Sequence, residues 1–249
     1  LISFGVFELD NPPPPALLLH RARIENGNRT ALPMDASQIT EHVRYSWYAN
    51  SDDNKHPAVA DTQAQYPKGD AYSWLKAPRY ASLPYECGPL PRMTITGDYT
   101  NGISAMDRHI ARAREALKIA RAMRDWLAAV TPGQSGYTHR SAPLTGTAVG
   151  LTEAPRGALG HWLEVDNGKI ARYQVITPTC WHVSPKDGAG QRGPLEQALI
   201  GVPVNNVDKP IEVLRIGHSF DPCLDCATHV TRAEPGARVF ALGELPVST

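Results

Sequence analysis

The clearest pattern of hydrophobic and polar positions lies near the middle of the chain. Apolar residues recur there at intervals of three and four, which is the spacing of one helical face: Ile103, Met106, Ile110, Ala113, Leu117, Ala120, Met123, Leu127 and Val130. Asn101 or Ser104 can cap the start of this helix, and Thr131-Pro132-Gly133 ends it. Arginines occupy the other faces, so the pattern predicts a long core helix with a solvated basic side.

Beyond residue 145 the spacing of the hydrophobic positions shortens to that of β-strands. The segment HWLEVDNGKIARYQVI, residues 161–176, places Asn167-Gly168 between two β-prone runs, a strong signal for a two-residue hairpin turn. Earlier, NPPPP predicts a rigid turn followed by an extended segment. Asp35 or Ser37 can cap a short helix that includes Glu41, and residues 50–100 resemble loops. The predicted fold class is therefore α+β and helix-rich.

Composition excludes several classes of protein. The 25 Lys and Arg residues balance the 25 Asp and Glu residues, so nothing favours a nucleic-acid-binding face or a polybasic membrane anchor. No apolar run approaches the roughly 20 residues that span a bilayer. The cysteines are too few and too scattered for a disulfide scaffold, and reduced thiols or metal ligands are expected: Cys87, Cys180, Cys223 and Cys226.

The segment FDPCLDCATHV, residues 220–230, carries the most specific chemistry. Asp221 suits a helix N-cap and Pro222 the first helical position, so we expect a helix to begin here. Cys223, Cys226 and His229 would then share one side of it, with the thiolate form favoured by the helix N-terminus. A metal site, a redox pair and an incidental pairing all remain open, because a structural zinc site needs four ligands and the chain has no second Cys-x-x-Cys.

Several segments together resemble the large subunits of nickel–iron hydrogenases, in particular the uptake type. They occur in the family's order and at suitable separations: YSWLKAPRY (72–80), GPLPRM (88–93), GLTEAPRGALGHW (150–162), ITPTCW (176–181) and HSFDPCLDCATH (218–229). The resemblance implies the C-terminal portion of that fold, with long core helices and a small hairpin or sheet region. It assigns residues 1–229 to the subunit and residues 230–249 to a propeptide that is removed during maturation.

The resemblance also assigns roles at a nickel–iron centre. Cys223 would be a terminal thiolate on nickel, and Cys226 would bridge nickel to an iron that carries carbon monoxide and cyanide. Arg156 would place its guanidinium over the open side of the metals and assist the cleavage of hydrogen. Asp221 would pair with Arg156 or orient it.

Further roles follow from the same resemblance. Pro178 and Thr179 would surround an iron-bound cyanide, with the Thr179 hydroxyl as a donor. His229 would bind magnesium together with the backbone carbonyl of Cys180. The maturation endopeptidase would cut between His229 and Val230. For the other candidates, we expect Cys87 to be packed and His161 and His218 to be structural, whereas Glu153 could support the site or anchor a loop.

The implied activity is the oxidation of hydrogen to two protons and two electrons, which pass to a small subunit with iron–sulfur clusters. Nickel-insertion proteins and the endopeptidase are further expected partners. Nucleic acid is not an expected partner. Contact with a membrane would occur only through partner subunits. The expected location is cytoplasmic or membrane-associated through those subunits. The family's other Cys-x-x-Cys pair is missing and the chain starts without Met, so we expect a fragment that is inactive alone. A non-catalytic relative and a zinc-binding module are the alternatives.

Overall fold

The computed structural model describes residues 1–9, 16–25, 30–137, 141 and 143–223. The strands are β1 (Ile2–Glu8), β2 (Leu17–Arg23), β3 (Ile39–His42), β4 (Ala77–Tyr80), β5 (Gly146–Ala154), β6 (Gly157–Asp166) and β7 (Lys169–Ile176). The α-helices are α1 (Pro89–Thr96), α2 (Ala105–Ala129), α3 (Pro178–His182), α4 (Pro194–Leu199) and α5 (Ile211–Phe220). Short 3₁₀ helices cover Ala36–Gln38 and Asn50–Asp52. This mixture confirms the α+β class.

The strands form antiparallel sheets of two, two and three strands: β1–β2, β3–β4 and β5–β6–β7. Asp166 pairs with Lys169, and the residues between them, Asn167 and Gly168, have φ of 49° and 74°. The predicted hairpin and its turn are thereby confirmed. A second two-residue turn, Pro155-Arg156, joins β5 to β6 where Ala154 pairs with Gly157. This turn places a guanidinium at the tip of a hairpin.

Helix α2 starts as predicted, because Ser104 and Asp107 form a capping box. Its orientation differs from the prediction, since the apolar stripe faces outward: Met106, Leu117 and Leu127 are 64%, 52% and 75% exposed. The residues it buries are Arg108, Ala111 and Glu115. Ion pairs with Glu86 and Arg92 neutralise the two buried charges, so periodicity alone gave the wrong buried face.

Two local predictions for the first hundred residues are wrong. Asp35 caps only the 3₁₀ turn Ala36–Gln38, and Glu41 lies buried in β3 rather than in a helix. The segment predicted as loop contains β4 and α1. The sequence does not predict helix α1, because its prolines are typical of a loop. Pro89 instead begins the helix, and proline is tolerated in a first turn, where backbone N–H groups have no helical partner.

The main core joins the sheets to α3. Its buried members come from β1, β3, β4, β6, β7 and α3 and from the segment between β4 and α1: Ile2, Phe4, Ile39, Tyr80, Tyr85, Cys87, Ala158, Trp162, Ile176 and Trp181. Cys87 is packed as expected. This core brings the start of β6 against α3, which sets the position of the β5–β6 turn. Among the described residues, we find no helix both long and apolar enough to cross a membrane.

Candidate functional site

Three segments that are distant in the sequence meet at one place. The Arg156 Nε of the β5–β6 turn lies 3.4 Å from an Asp221 carboxylate oxygen, just after α5. The backbone N–H of Cys223 donates to the Thr179 hydroxyl of α3 at 3.0 Å. The structure therefore brings together four of the residues that the sequence singles out.

The Arg156–Asp221 pair is open to solvent on one side. The two side chains are 43% and 44% exposed, and the Arg156 Nε has no hydrogen-bond partner despite the short distance. An exposed ion pair of this kind contributes little to stability, because solvent screens the charges and side-chain entropy opposes the contact. The pair can orient the guanidinium, but the backbone must set its place.

The conformation of Asp221 corrects one prediction. Asp221 has φ 52° and ψ 55°, which is left-handed, and its N–H donates to the His218 carbonyl at 3.0 Å. It therefore ends α5, in a conformation that differs from the extended one typical of an N-cap residue. The predicted helix beyond Pro222, together with Cys226, His229 and Val230, lies outside the described residues.

Three consecutive carbonyls of the β5–β6 turn are held by buried side chains. Arg92 donates to the Ala154 and Pro155 carbonyls at 3.1 and 2.8 Å. The His182 Nε2 donates to the Arg156 carbonyl at 2.9 Å, since a carbonyl can only accept. Neither supporting residue was identified from the sequence, although Arg92 falls within the GPLPRM segment.

Two buried acidic side chains bind Arg92. Glu115 binds its guanidinium at 2.7 and 2.6 Å, and Glu153 binds it at 2.7 Å. Burial opposes the charge of Arg92, but these contacts raise its pKa overall. Burial raises the pKa of Glu153 to about 7, with Arg92 acting in the opposite direction. Glu153 also accepts the Phe4 N–H at 2.6 Å, so it anchors β1 and Arg92 behind the turn.

Helix α2 supports the opposite side of the site. Arg108 binds both oxygens of Glu86 at 2.8 Å, and its guanidinium carbon lies 3.8 Å from the centre of the Phe220 ring. Arg112 donates to the Ser219 carbonyl at 2.9 Å. Ser219 and Phe220 directly precede Asp221. The basic side of α2, expected in solvent, thus fixes the end of α5.

The comparisons with known proteins give the family. A family model described as nickel-dependent hydrogenase matches residues 1–103 and 97–229. The chain belongs to the nickel-dependent hydrogenase family. It is 36% identical to the periplasmic [NiFeSe] hydrogenase large subunit of Desulfomicrobium baculatum, over 95% of this chain and 50% of that protein.

Further nickel-dependent hydrogenases are similar at the same level. The uptake hydrogenase large subunit of Bradyrhizobium diazoefficiens is 34% identical, over 86% of this chain and 45% of its own length. The Ni-Fe-Se hydrogenase from D. vulgaris Hildenborough superposes with a TM-score of 0.84 at 34% identity, over 92% of this chain and 52% of that one. The chain spans about half the length of the curated relatives it matches.

The structure describes the Cys-x-x-Cys motif only as far as Cys223. Within residues 1–223, apart from the gaps named above, no group of three His, Cys, Asp or Glu side chains is placed to bind a metal. The donor chemistry nevertheless fits such a centre. Cys223 is half-buried with its backbone fixed, thiolates suit nickel and iron, and the unsatisfied Arg156 Nε lies beside Asp221.

The other candidates have structural surroundings. Burial raises the pKa of the Cys180 thiol, whose sulfur lies 3.3 Å from the Thr177 hydroxyl, so the thiol is packed as expected. Its carbonyl as a magnesium ligand stays a prediction. Pro178 occupies the first turn of α3, and its carbonyl lies 3.7 Å from the Cys87 sulfur. His161 contacts the Tyr173 hydroxyl at 2.6 Å on the hairpin.

Proposed function

We propose that residues 1–229 form the C-terminal part of a nickel–iron hydrogenase large subunit that oxidises hydrogen to two protons and two electrons. The observation that carries this proposal is the meeting of Arg156 and Asp221, 3.4 Å apart, directly before the Cys-x-x-Cys motif. Membership of the nickel-dependent hydrogenase family supports the same assignment.

In this proposal Cys223 and Cys226 would hold the nickel, and Cys226 would also hold an iron that carries carbon monoxide and cyanide. When bound, this centre supplies the redox chemistry for splitting hydrogen. His229 and the Cys180 carbonyl would hold magnesium, the carbonyl being the kind of oxygen ligand that this ion prefers. The family description supports nickel; the finer ligand set is part of the proposal.

The chain's own residues position charge around that centre. The Arg156 guanidinium presents a planar set of N–H donors in a fixed geometry. Asp221 orients this guanidinium from 3.4 Å without using its Nε in a hydrogen bond. Thr179 fixes the Cys223 backbone through its oxygen and keeps its hydroxyl proton to donate, because a hydroxyl can do both.

The proposed partners follow from the chemistry. Electrons must leave through redox groups, and a small subunit with iron–sulfur clusters would supply them. The names of the relatives as large subunits support this pairing. Nickel-insertion proteins and a maturation endopeptidase complete the set, and any membrane association would occur through partner subunits.

The test uses the full-length large subunit with its small subunit, purified from the native host. Nickel, iron and zinc are measured by mass spectrometry in the wild type and in Cys226→Ser, with Cys87→Ser as the matched control. We expect nickel and iron in the wild type and in Cys87→Ser, with both lost in Cys226→Ser. Nickel in Cys226→Ser equal to that of the wild type would overturn the ligand assignment. Zinc alone, or no metal, would favour the binding-module or non-catalytic alternative.

A further inference from the structure

His182 contacts both segments that carry the Arg156–Asp221 pair. It lies at the end of α3 and is 1% exposed. Its Nε2 donates to the Arg156 carbonyl at 2.9 Å. The edge of the same ring meets Phe220, with centroids 6.0 Å apart and an interplanar angle of 64°. Phe220 is the residue before Asp221, so one imidazole joins the two sides of the pair.

Two glycines allow this close approach. A Cβ on Gly88, whose φ is +112°, would lie 2.9 Å from the Arg156 carbonyl oxygen and 3.5 Å from the His182 ring. A Cβ on Gly157, whose φ is +140°, would lie 2.5 Å from the Cys87 sulfur. Any side chain at either position would push the β5–β6 turn away from His182.

The weakness of the ion pair makes this support necessary. Two side chains that are 43% and 44% exposed do not hold each other at a fixed distance in water. The place of Arg156 must therefore come from its backbone. Arg92 fixes the Ala154 and Pro155 carbonyls, and His182 fixes the carbonyl of Arg156 itself.

We propose that His182 is a positioning residue, which sets Arg156 against Asp221 by binding the Arg156 carbonyl and packing on Phe220. Its catalytic consequence rests on the proposed function of Arg156; the anchoring of the turn does not. Arg92 is less suitable for a test, because its removal would strand the buried Glu115 and Glu153 carboxylates and damage the fold.

The test compares His182→Phe with His182→Gln in the purified heterodimer. Phenylalanine keeps a ring against Phe220 but cannot donate to the Arg156 carbonyl; glutamine keeps an N–H that can reach it. We expect His182→Phe to retain nickel and an unchanged KM for hydrogen, with kcat lowered about tenfold, because a small misplacement of a catalytic group is costly. His182→Gln should stay within about threefold of the wild type.

Two further measurements separate positioning from general damage. Hydrogen–deuterium exchange at residues 154–158 should rise in His182→Phe but not in Ile24→Ala, a core variant outside the segments that hold the turn. In an Arg156→Lys background, His182→Phe should lower kcat much less than in the wild type, because coupled residues are not additive. If His182→Phe does not assemble, His182→Met replaces it as a donor-free variant.

Unchanged exchange and unchanged kcat in His182→Phe would overturn the proposal. An equal loss of kcat with and without Arg156→Lys would overturn positioning through Arg156. If Arg156→Lys alone leaves activity intact, the proposed function of Arg156 fails; faster exchange at residues 154–158 in His182→Phe would still support the anchoring role.

Discussion

The hydroxyl oxygen of Thr179 accepts the backbone N–H of Cys223 at 3.0 Å. Thr179 is buried in α3, which packs in the main core, so this bond ties the start of the cysteine motif to the core. The hydroxyl oxygen serves as acceptor here and its proton remains to be donated elsewhere. One side chain can therefore serve both the protein backbone and a bound group.

Replacing Thr179 with valine should loosen the Cys223 segment. Valine has nearly the same shape but removes this acceptor from the Cys223 N–H, which costs about 1 kcal/mol, the net contribution of a typical hydrogen bond. We expect lower nickel occupancy and a shifted infrared spectrum of any carbon monoxide and cyanide ligands. Thr179→Ser keeps the hydroxyl and is the control. Identical spectra in the valine variant and the wild type would count against a role for Thr179.

Arg156→Lys should leave the metals bound and reduce hydrogen oxidation by about ten- to a hundredfold. Lysine carries the same charge as a flexible point, whereas arginine presents a planar set of donors at a fixed position. The measurement pairs nickel content with the rate of dye reduction under hydrogen. Activity within a factor of two of the wild type would show that the guanidinium has no catalytic role.

The sequence correctly predicted those structural features that depend only on residues close together in the chain. The Asn167-Gly168 turn depends on two residues that tolerate positive φ, and the capping box of α2 depends on Ser104 and Asp107. The buried face of α2 was predicted wrongly, because Arg108 and Glu115 are buried through ion pairs with residues distant in the sequence. Periodicity describes one helix and contains no information about its neighbours.

The same distinction applies to the site. Arg156, Thr179, Asp221 and Cys223 could be named from motifs, and the structure places them together in pairs. The residues that position these four could not be identified from the sequence, because their contacts join segments that are distant along the chain. His182, for example, follows Trp181 in a short motif, and nothing in that motif indicates a contact with the Arg156 carbonyl.

Glu153→Gln should change how stability depends on pH. Burial raises the pKa of Glu153 from 4.5 to about 7, so between these values the folded state keeps a proton that the unfolded state loses. Stability should then fall as pH rises through this window, by roughly 3 kcal/mol at most. Glutamine cannot ionise and can still accept the Phe4 N–H.

The measurement is the denaturation midpoint of wild type and Glu153→Gln at pH 5 and pH 8. We expect the wild type to lose more stability between the two values than the variant. Equal losses would show that Glu153 is charged throughout the window, held so by Arg92.

The final prediction concerns residues 230–249, which lie outside the described residues. If they are a propeptide, the mature subunit from the native host should end at His229, and the mass of its C-terminal peptide will show this. The physical reason is charge: a His229 bound to magnesium in a closed site could not be followed inward by Arg232, Glu234 and Arg238 without stranding ions away from water. Blocking cleavage should therefore trap an inactive precursor. Active enzyme that still carries Thr249 would refute both the processing and the enclosed position of His229.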